Sequence, residues 1–198
     1  MKKQQLEIGL QRLMPLSKQS ERLEQYATPA HIAADMLWEA FTAGDIEGRT
    51  VVDLGCGNGV FAIGAKMLGA KDVLGVDLDP EAVRVANENA QAAQLIVDFE
   101  EGDVTEVGGK FDTVLQNPPF GAQTKNADRA FIKKAIELAP RTYSMHNDGT
   151  EEFVQQMVSA LGARALTVKK YKFEIPYAFE FHRKPVETIS VVLLRFER

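Results

Sequence analysis

The chain holds one cysteine, Cys56, and three histidines among its 198 residues. An internal disulfide and any multi-cysteine metal site are thereby excluded. No run approaches the roughly 20 apolar residues that a membrane span needs. Lys2 and Lys3 are not followed by the apolar core of a secretory signal, so the expected location is the cytoplasm. A basic excess is missing too: 23 Lys and Arg stand against 28 Asp and Glu, a net charge of −5. Any nucleic-acid contact must then be a local patch. Repeats, low-complexity tracts and linkers are absent. The chain reads as one domain over 1–198, with a helical cap at 1–45 and a core at 50–198. What is present is ordinary for a globular protein, 45% apolar and 26% charged, and long enough for one α/β domain with a full core.

Residues 51–59 organise the rest. They read Val-Val-Asp-Leu-Gly-Cys-Gly-Asn-Gly, the pattern of a strand, a tight turn and a helix start. Gly55, Gly57 and Gly59 let the backbone turn sharply and approach a ligand. The spacing is one residue shorter than the dinucleotide fingerprint. Asp53, two residues before the first glycine, would repel a pyrophosphate but suits an ammonium group. Asp77 ends the next apolar run, where such folds place a ribose-binding acid. A ligand with a ribose, a positive charge and no need of phosphate is S-adenosylmethionine.

The elements around this turn alternate. Strands are predicted at 50–54, 72–76, 96–100, 111–116 and about 141–144, with helices at 59–68, 80–91 and 127–138. Such alternation gives right-handed βαβ units and a parallel sheet with helices on both faces. A helix near 150–161 and two β-rich runs, 165–175 and 186–196, close the chain as an antiparallel pair. Ahead of the core, Leu6, Leu10, Leu13 and Met14 share a helix face that Pro15 ends. Thr28 as N-cap with Pro29 at the first helical position starts a second helix reaching about Thr42. Gln25, Tyr26 and Thr28 fit either a cap with a packed tyrosine or a turn lying over the cofactor. Asp53, Asp77, Asp103 and Asn117 all fall at predicted strand ends, on the rim where open α/β sheets bind ligands.

The second chemical stretch is Asn117-Pro118-Pro119-Phe120. Two prolines stiffen the backbone and remove two donors. Asn117 offers an acceptor oxygen, and Phe120 a flat face for a planar group. A planar amine could donate one hydrogen to Asn117 Oδ1 and the other to the Pro118 carbonyl, which frees its lone pair to attack a methyl sulfonium. A plain turn after a strand explains the prolines equally well.

These motifs together resemble class I S-adenosylmethionine-dependent amino-methyltransferases. The pieces Leu-Glu-Gln-Tyr-Ala-Thr at 23–28, Asn117 to Gly121, Tyr-Ser-Met-His at 143–146, Ile-Pro-Tyr at 175–177 and Phe-His-Arg-Lys at 181–184 are similar to one group within them. That group is the archaeal and eukaryotic small-subunit ribosomal-RNA adenine-N6 methyltransferases of the methyltransferase-like-5 type. The resemblance spans nearly the whole chain. It implies a Rossmann-like fold with a mostly parallel seven-stranded sheet, a terminal antiparallel strand and extra N-terminal helices. It further implies that Gln25, Tyr26 and Thr28 close over the methionine part of the cofactor, that Asp53 and Gly55 hold its ammonium and carboxylate, and that Gly57 is among the cofactor-binding residues. Asp77 would take the ribose and Leu78 the adenine. Asp103, with Val104, would accept from the adenine amine, although a turn or cap acid is the plainer reading of Asp103. Asn117, Pro118, Pro119 and Phe120 would hold the target base.

For the substrate, Lys169, Lys170, Lys172, Arg183 and Lys184 interleave with Tyr171, Phe173, Tyr177, Phe179, Phe181 and His182. That suits RNA phosphates and stacked bases. A solvated hairpin with its aromatics in the core is the alternative. The target base must be unstacked or single-stranded to reach the site. At 95–100, Leu95, Ile96, Val97 and Phe99 are too apolar for a bare edge strand. The resemblance implies a small zinc-binding activator subunit there; a homodimer or a covering loop would serve as well. The expected function is N6-methylation of adenine in small-subunit ribosomal RNA. Methylation of a protein glutamine or of guanine N2 in RNA, and a non-catalytic cofactor-binding scaffold, are the rivals.

Overall fold

The computed structural model describes residues 1–16, 28–119, 127–176 and 186–198. Two helices, α1 (Lys3–Leu10) and α2 (Ala30–Thr42), precede the sheet. The core then runs β1 (Thr50–Leu54), α3 (Val60–Met67), β2 (Asp72–Asp77), α4 (Pro80–Ala92), β3 (Asp98–Glu101) and β4 (Thr113–Gln116). It closes with α5 (Ala127–Leu138), β5 (Arg141–Asn147), α6 (Glu151–Ala160), β6 (Arg164–Pro176) and β7 (Val186–Glu197). The seven strands form one sheet in the order β3-β2-β1-β4-β5-β7-β6. The first five are parallel, and β7 is antiparallel to both of its neighbours. The closing pair is thus a hairpin, but its antiparallel strand lies inside and β6 forms the edge.

Alternation along each strand sorts the side chains onto two helical layers. Val51, Leu115, Tyr143 and Met145 face α1, α2 and α3 in one buried cluster. Val52, Leu54 and Val114 face α5 in a second, and Val192, Leu194 and Phe196 meet α5 and α6 in a third. The two faces carry different helices because the crossover reverses between β3 and β4. That reversal opens the rim at the carboxyl ends of β1 and β4, where ligands of such sheets bind. No helix among the described residues is long and apolar enough to cross a membrane.

Local competition moves several boundaries. Helix α1 stops at Leu10 rather than running to Pro15. Its Leu6 and Leu10 are buried, but the Met14 N–H is taken by Asn89 Oδ1 at 2.7 Å, which draws the chain out of the helix. Thr28 is not the cap of α2. Pro29 occupies that position with φ −56° and ψ 138°, and no side chain caps the helix. A residue before proline is pushed towards extended backbone, so Thr28 lies outside the helix and its hydroxyl is directed elsewhere. Strand β3 starts at Asp98, two residues later than the apolar run suggests. Phe99 turns inward across Gly75 and Gly59, where an added Cβ would sit 2.5 Å and 3.0 Å from its ring.

Candidate active site

The glycine turn joins β1 to α3. Gly55, Gly57 and Gly59 have φ of 71°, 54° and 85°, a left-handed backbone that residues with a Cβ adopt only at a cost. The two outer glycines are covered: the ring of Phe131 lies 3.1 Å from a Cβ at Gly55, and Phe99 closes on Gly59. Over Gly57 there is open space among the described residues, with none of their atoms within 4 Å of such a Cβ. The turn therefore leaves its middle free for a ligand to approach the backbone.

Asp53 lies on β1 beneath this turn and is fully buried. Its Oδ2 accepts from the Ala62 N–H at 3.0 Å, while Oδ1 is buried with no partner. Burial pushes its carboxyl up to about 8; the Ala62 bond opposes this and the nearby Asp77 adds to it. A buried carboxyl with one free oxygen is satisfied by a cation, which would return it to the charged form. Asp77, at the end of β2, accepts from the N–H groups of Gly57 at 2.8 Å and Asp79 at 3.0 Å. Burial raises its carboxyl, and these two bonds pull it back. Each oxygen keeps a second lone pair for a hydroxyl. Leu78 follows, 51% exposed on the rim, an apolar surface beside the open turn. An ammonium at Asp53, a ribose at Asp77 and an adenine against Leu78 fit S-adenosylmethionine.

Asp103 takes the plainer role. It caps the short 3-10 turn Val104–Glu106, accepting from Thr105 N and Oγ1, each at 2.8 Å. The backbone bond holds its carboxyl below the ordinary range. Among the described residues only Oδ1 is bonded, which leaves Oδ2 for an amine. Val104 is 8% exposed and packs into the core beside Val52 and Val114, so its side chain does not line an open site.

Asn117 follows β4 on the same rim as the glycine turn. Its Nδ2 donates to Thr28 Oγ1 at 3.0 Å, and its Oδ1 is buried with no partner. Pro118 is buried beside it. On the opposite face of the sheet, Gln116 Nε2 donates to Ser144 Oγ at 2.9 Å, which lies 2.7 Å from His146 Nε2. All three are buried. Burial drops the His146 imidazole to about 3, so it stays neutral and serves as a hydrogen-bond partner on the sheet's inner face rather than as an RNA contact.

Sequence reasoning missed the support of the turn. Asn89, 1% exposed in the middle of α4, donates from Nδ2 to the carbonyls of Met14 and Asn58, while its Oδ1 takes the Met14 N–H. Asn58 Nδ2 also reaches the Met14 carbonyl at 3.0 Å. The N-terminal segment is thereby stitched to the glycine turn. Helical spacing places Asn89 on the apolar face of α4 with Ala82, Val85, Ala86 and Ala90, a polar residue among buried ones, and that was the signal that could have found it. Phe131 was legible only as one apolar residue of α5.

The lysines of β6 are not a bare basic stripe. Lys169 pairs with Asp35, which also pairs with Lys3. Lys170 reaches Asp148 and Glu151, each at 2.7 Å. Lys172 is exposed. Gln25, Tyr26, Phe120, His182, Arg183 and Lys184 lie outside the described residues. No cluster of His, Cys, Asp or Glu able to hold a metal occurs among the described residues.

The comparisons with known proteins place the chain in a family. The model of the methyltransferase small domain family matches residues 29–166. A protein named rRNA N(6)-adenosine-methyltransferase METTL5 from Danio rerio is 34% identical, covering 99% of both chains. Its counterpart named Mettl5 from Drosophila melanogaster is 37% identical over all of this chain and 97% of its own. The crystal structure of PH1948 from Pyrococcus horikoshii superposes with a TM-score of 0.92 at 40% identity, covering 100% of this chain and 98% of that one. The chain belongs to the methyltransferase small domain family and is an S-adenosylmethionine-dependent N-methyltransferase of the class I fold.

Proposed function

We propose that this enzyme methylates the N6 amine of an adenine in RNA, with small-subunit ribosomal RNA as the substrate class. The observation that carries the reading is the buried, unpartnered Oδ1 of Asn117, an acceptor at the carboxyl end of β4 beside the cofactor turn. The two prolines that follow have no N–H, so this part of the turn offers acceptors only. An exocyclic amine supplies what such a site lacks, two N–H donors on one planar nitrogen. Asn117 Oδ1 and the Pro118 carbonyl would accept them and draw the lone pair out of conjugation with the ring. When bound, S-adenosylmethionine supplies a methyl group on a sulfonium, an electrophile whose transfer needs alignment more than a strong base. Asp53 and Asp77 would hold that donor, and Asn117 would hold the acceptor. The names of the full-length relatives, rRNA N(6)-adenosine-methyltransferases, support RNA as the substrate and adenine N6 as the atom.

The edge strand β3 is acidic, Asp-Phe-Glu-Glu, and the apolar residues 95–97 expected on it lie just ahead of it, where they support a partner. Ile96 is 83% exposed and lines a groove with Leu95, Val97 and the α4 residues Asn87 and Gln91. Strand β3 beside it ends the sheet. We infer that a small zinc-binding activator subunit adds to this edge.

The test is transfer of labelled methyl from S-adenosylmethionine to small-subunit ribosomal RNA, with nucleoside analysis, with and without the partner. Label in N6-methyladenosine, lost in Asn117→Ala, is the expected result. Label in methylguanosine or in protein would overturn the substrate, and no loss in Asn117→Ala would overturn the mechanism. An Ile96→Glu chain that still captures the partner would remove the edge assignment.

A further inference from the structure

Helices α5 and α6 each follow a parallel strand, β4 and β5, so both begin at the carboxyl rim that carries Gly57 and Asn117. They pack through Ile132 and Ile136 against Val154 and Val158, all buried. One turn nearer the rim this seam changes character. The Arg129 guanidinium lies over the Phe153 ring, 4.8 Å from its centroid. Each is the third residue of its helix. Both are exposed, and Phe153 is 37% so. Two residues after Arg129, the Phe131 ring covers Gly55, which sets the first turn of α5 against the cofactor turn. Lys133, also exposed, follows Arg129 by about one helical turn on the same face, about 6 Å along α5. Lys134 is tied to Glu137, but neither Arg129 nor Lys133 has a carboxylate partner among the described residues.

We propose that Arg129, Phe153 and Lys133 form a contact site for the single-stranded RNA flanking the target adenine, with a neighbouring base stacked on the Arg129–Phe153 pair and a phosphate at Lys133. The proposal rests on the reading above that the substrate is RNA. An adenine that reaches the site has left its stack, so the bases beside it present free faces. Aromatic rings and guanidinium planes bind such faces, and they do so with little regard to sequence. Charge points the same way. The chain carries a net −5, so the phosphates need a local source of positive charge. Lys169 and Lys170 on β6 are already held by Asp35, Asp148 and Glu151. Arg129 and Lys133 are uncommitted. Of the acids beside Phe153, Glu151 is engaged by Lys170 and Glu152 accepts from Gln156. An apolar side chain at 129 would extend the buried seam, whereas an arginine leaves a π-surface and a charge open to solvent at the rim.

The test is binding of a fluorescent single-stranded oligonucleotide of small-subunit ribosomal-RNA sequence, read by anisotropy over a range of salt concentrations. The full chain is compared with Arg129→Gln, Phe153→Leu and Lys71→Gln. Lys71 stands at the opposite, amino end of β2 and is exposed, so its loss removes the same charge away from the rim. The expected result for Arg129→Gln is affinity down roughly tenfold, with the slope of log affinity against log salt reduced by about 0.7, the value of one phosphate contact on a single strand. Phe153→Leu weakens binding roughly tenfold with the native slope, the scale of one stacked base. Lys71→Gln binds as the native chain does. Equal losses in Arg129→Gln and Lys71→Gln would reduce the effect to net charge and overturn the proposal. A loss in Arg129→Gln and Phe153→Leu that comes with a lower Tm and an unchanged salt slope in both would make the pair a packing contact and overturn it too. Native binding by both variants, in a chain that still methylates RNA, would remove this contact site and leave the proposed function standing. A native chain that neither binds nor methylates RNA would overturn both.

Discussion

Asn89 holds Met14, 75 residues earlier in the chain, through both ends of its carboxamide: Oδ1 accepts the Met14 N–H and Nδ2 donates to the Met14 carbonyl. The same Nδ2 holds the carbonyl of Asn58 inside the glycine turn. Asn89→Ala removes the bonds to the Met14 N–H and the Asn58 carbonyl, both part-buried, while the Met14 carbonyl keeps Asn58 Nδ2, a loss of about 1–3 kcal/mol. The expected drop in Tm is roughly 2–4 °C for each kcal/mol in a chain of this size. Cofactor affinity should fall with it, because the turn loses one of its supports. Thermal denaturation and calorimetry check the two effects. A lower Tm with unchanged affinity would confine Asn89 to stability.

The glycines of the site separate space from strain. Gly75 on β2 lies under Phe99, and an added Cβ would meet that ring at 2.5 Å. Gly75→Ala should overpack the core and destabilise by about 1–3 kcal/mol, measured by denaturant unfolding. Gly57→Ala meets no atom but must keep φ near 54°, at about 1–2 kcal/mol, and it fills the open side of the turn. It should fold and lose cofactor binding more severely than Gly75→Ala. Equal affinities in the two variants would mean that the open middle of the turn is not where the cofactor approaches.

Asp53 predicts a dependence on pH with a definite sign. Its folded carboxyl sits at about 8, above the ordinary 3.8, chiefly because it is buried. The folded state therefore keeps a proton that the unfolded chain releases. That stabilisation is complete below the ordinary carboxyl range and is lost as pH rises through about 8. In Asp53→Asn nothing titrates, and an oxygen remains for the Ala62 N–H. The cofactor-free variant should then gain Tm relative to the native chain between about pH 5 and 9. If Asp53 is the charged partner of the ammonium, as proposed, affinity for S-adenosylmethionine should fall by roughly tenfold or more. Thermal scans across pH check the first effect and calorimetry the second. Parallel Tm curves for the two chains would show that Asp53 carries no raised proton affinity.

The chemistry of the site was legible where it is local. Asp53, the three glycines and Asp77 are spaced by the strand, turn and helix that they help to form, so the pattern and the candidate site are the same residues. Asn117 and its two prolines are equally local. The element order was legible too, because period-two and helical patterns record which side of each segment is buried. Asp103 shows the limit of that reading. An acid after a strand serves a turn or a ligand equally well, and only the position of Thr105 shows that one oxygen is already bonded.

The sequence by itself determined that this is an α/β chain with a glycine turn and an acceptor-lined proline turn, since backbone freedom and side-chain chemistry are properties of short segments. Tertiary structure decided how those groups are held. Asn117 is bonded to Thr28, the glycine turn is tied to the N-terminal segment by Asn89, and Lys169 is paired with Asp35, 134 residues away. Each is a pairing between distant segments. Such pairings follow from how the helices pack on the two faces of the sheet, and no local pattern encodes that packing.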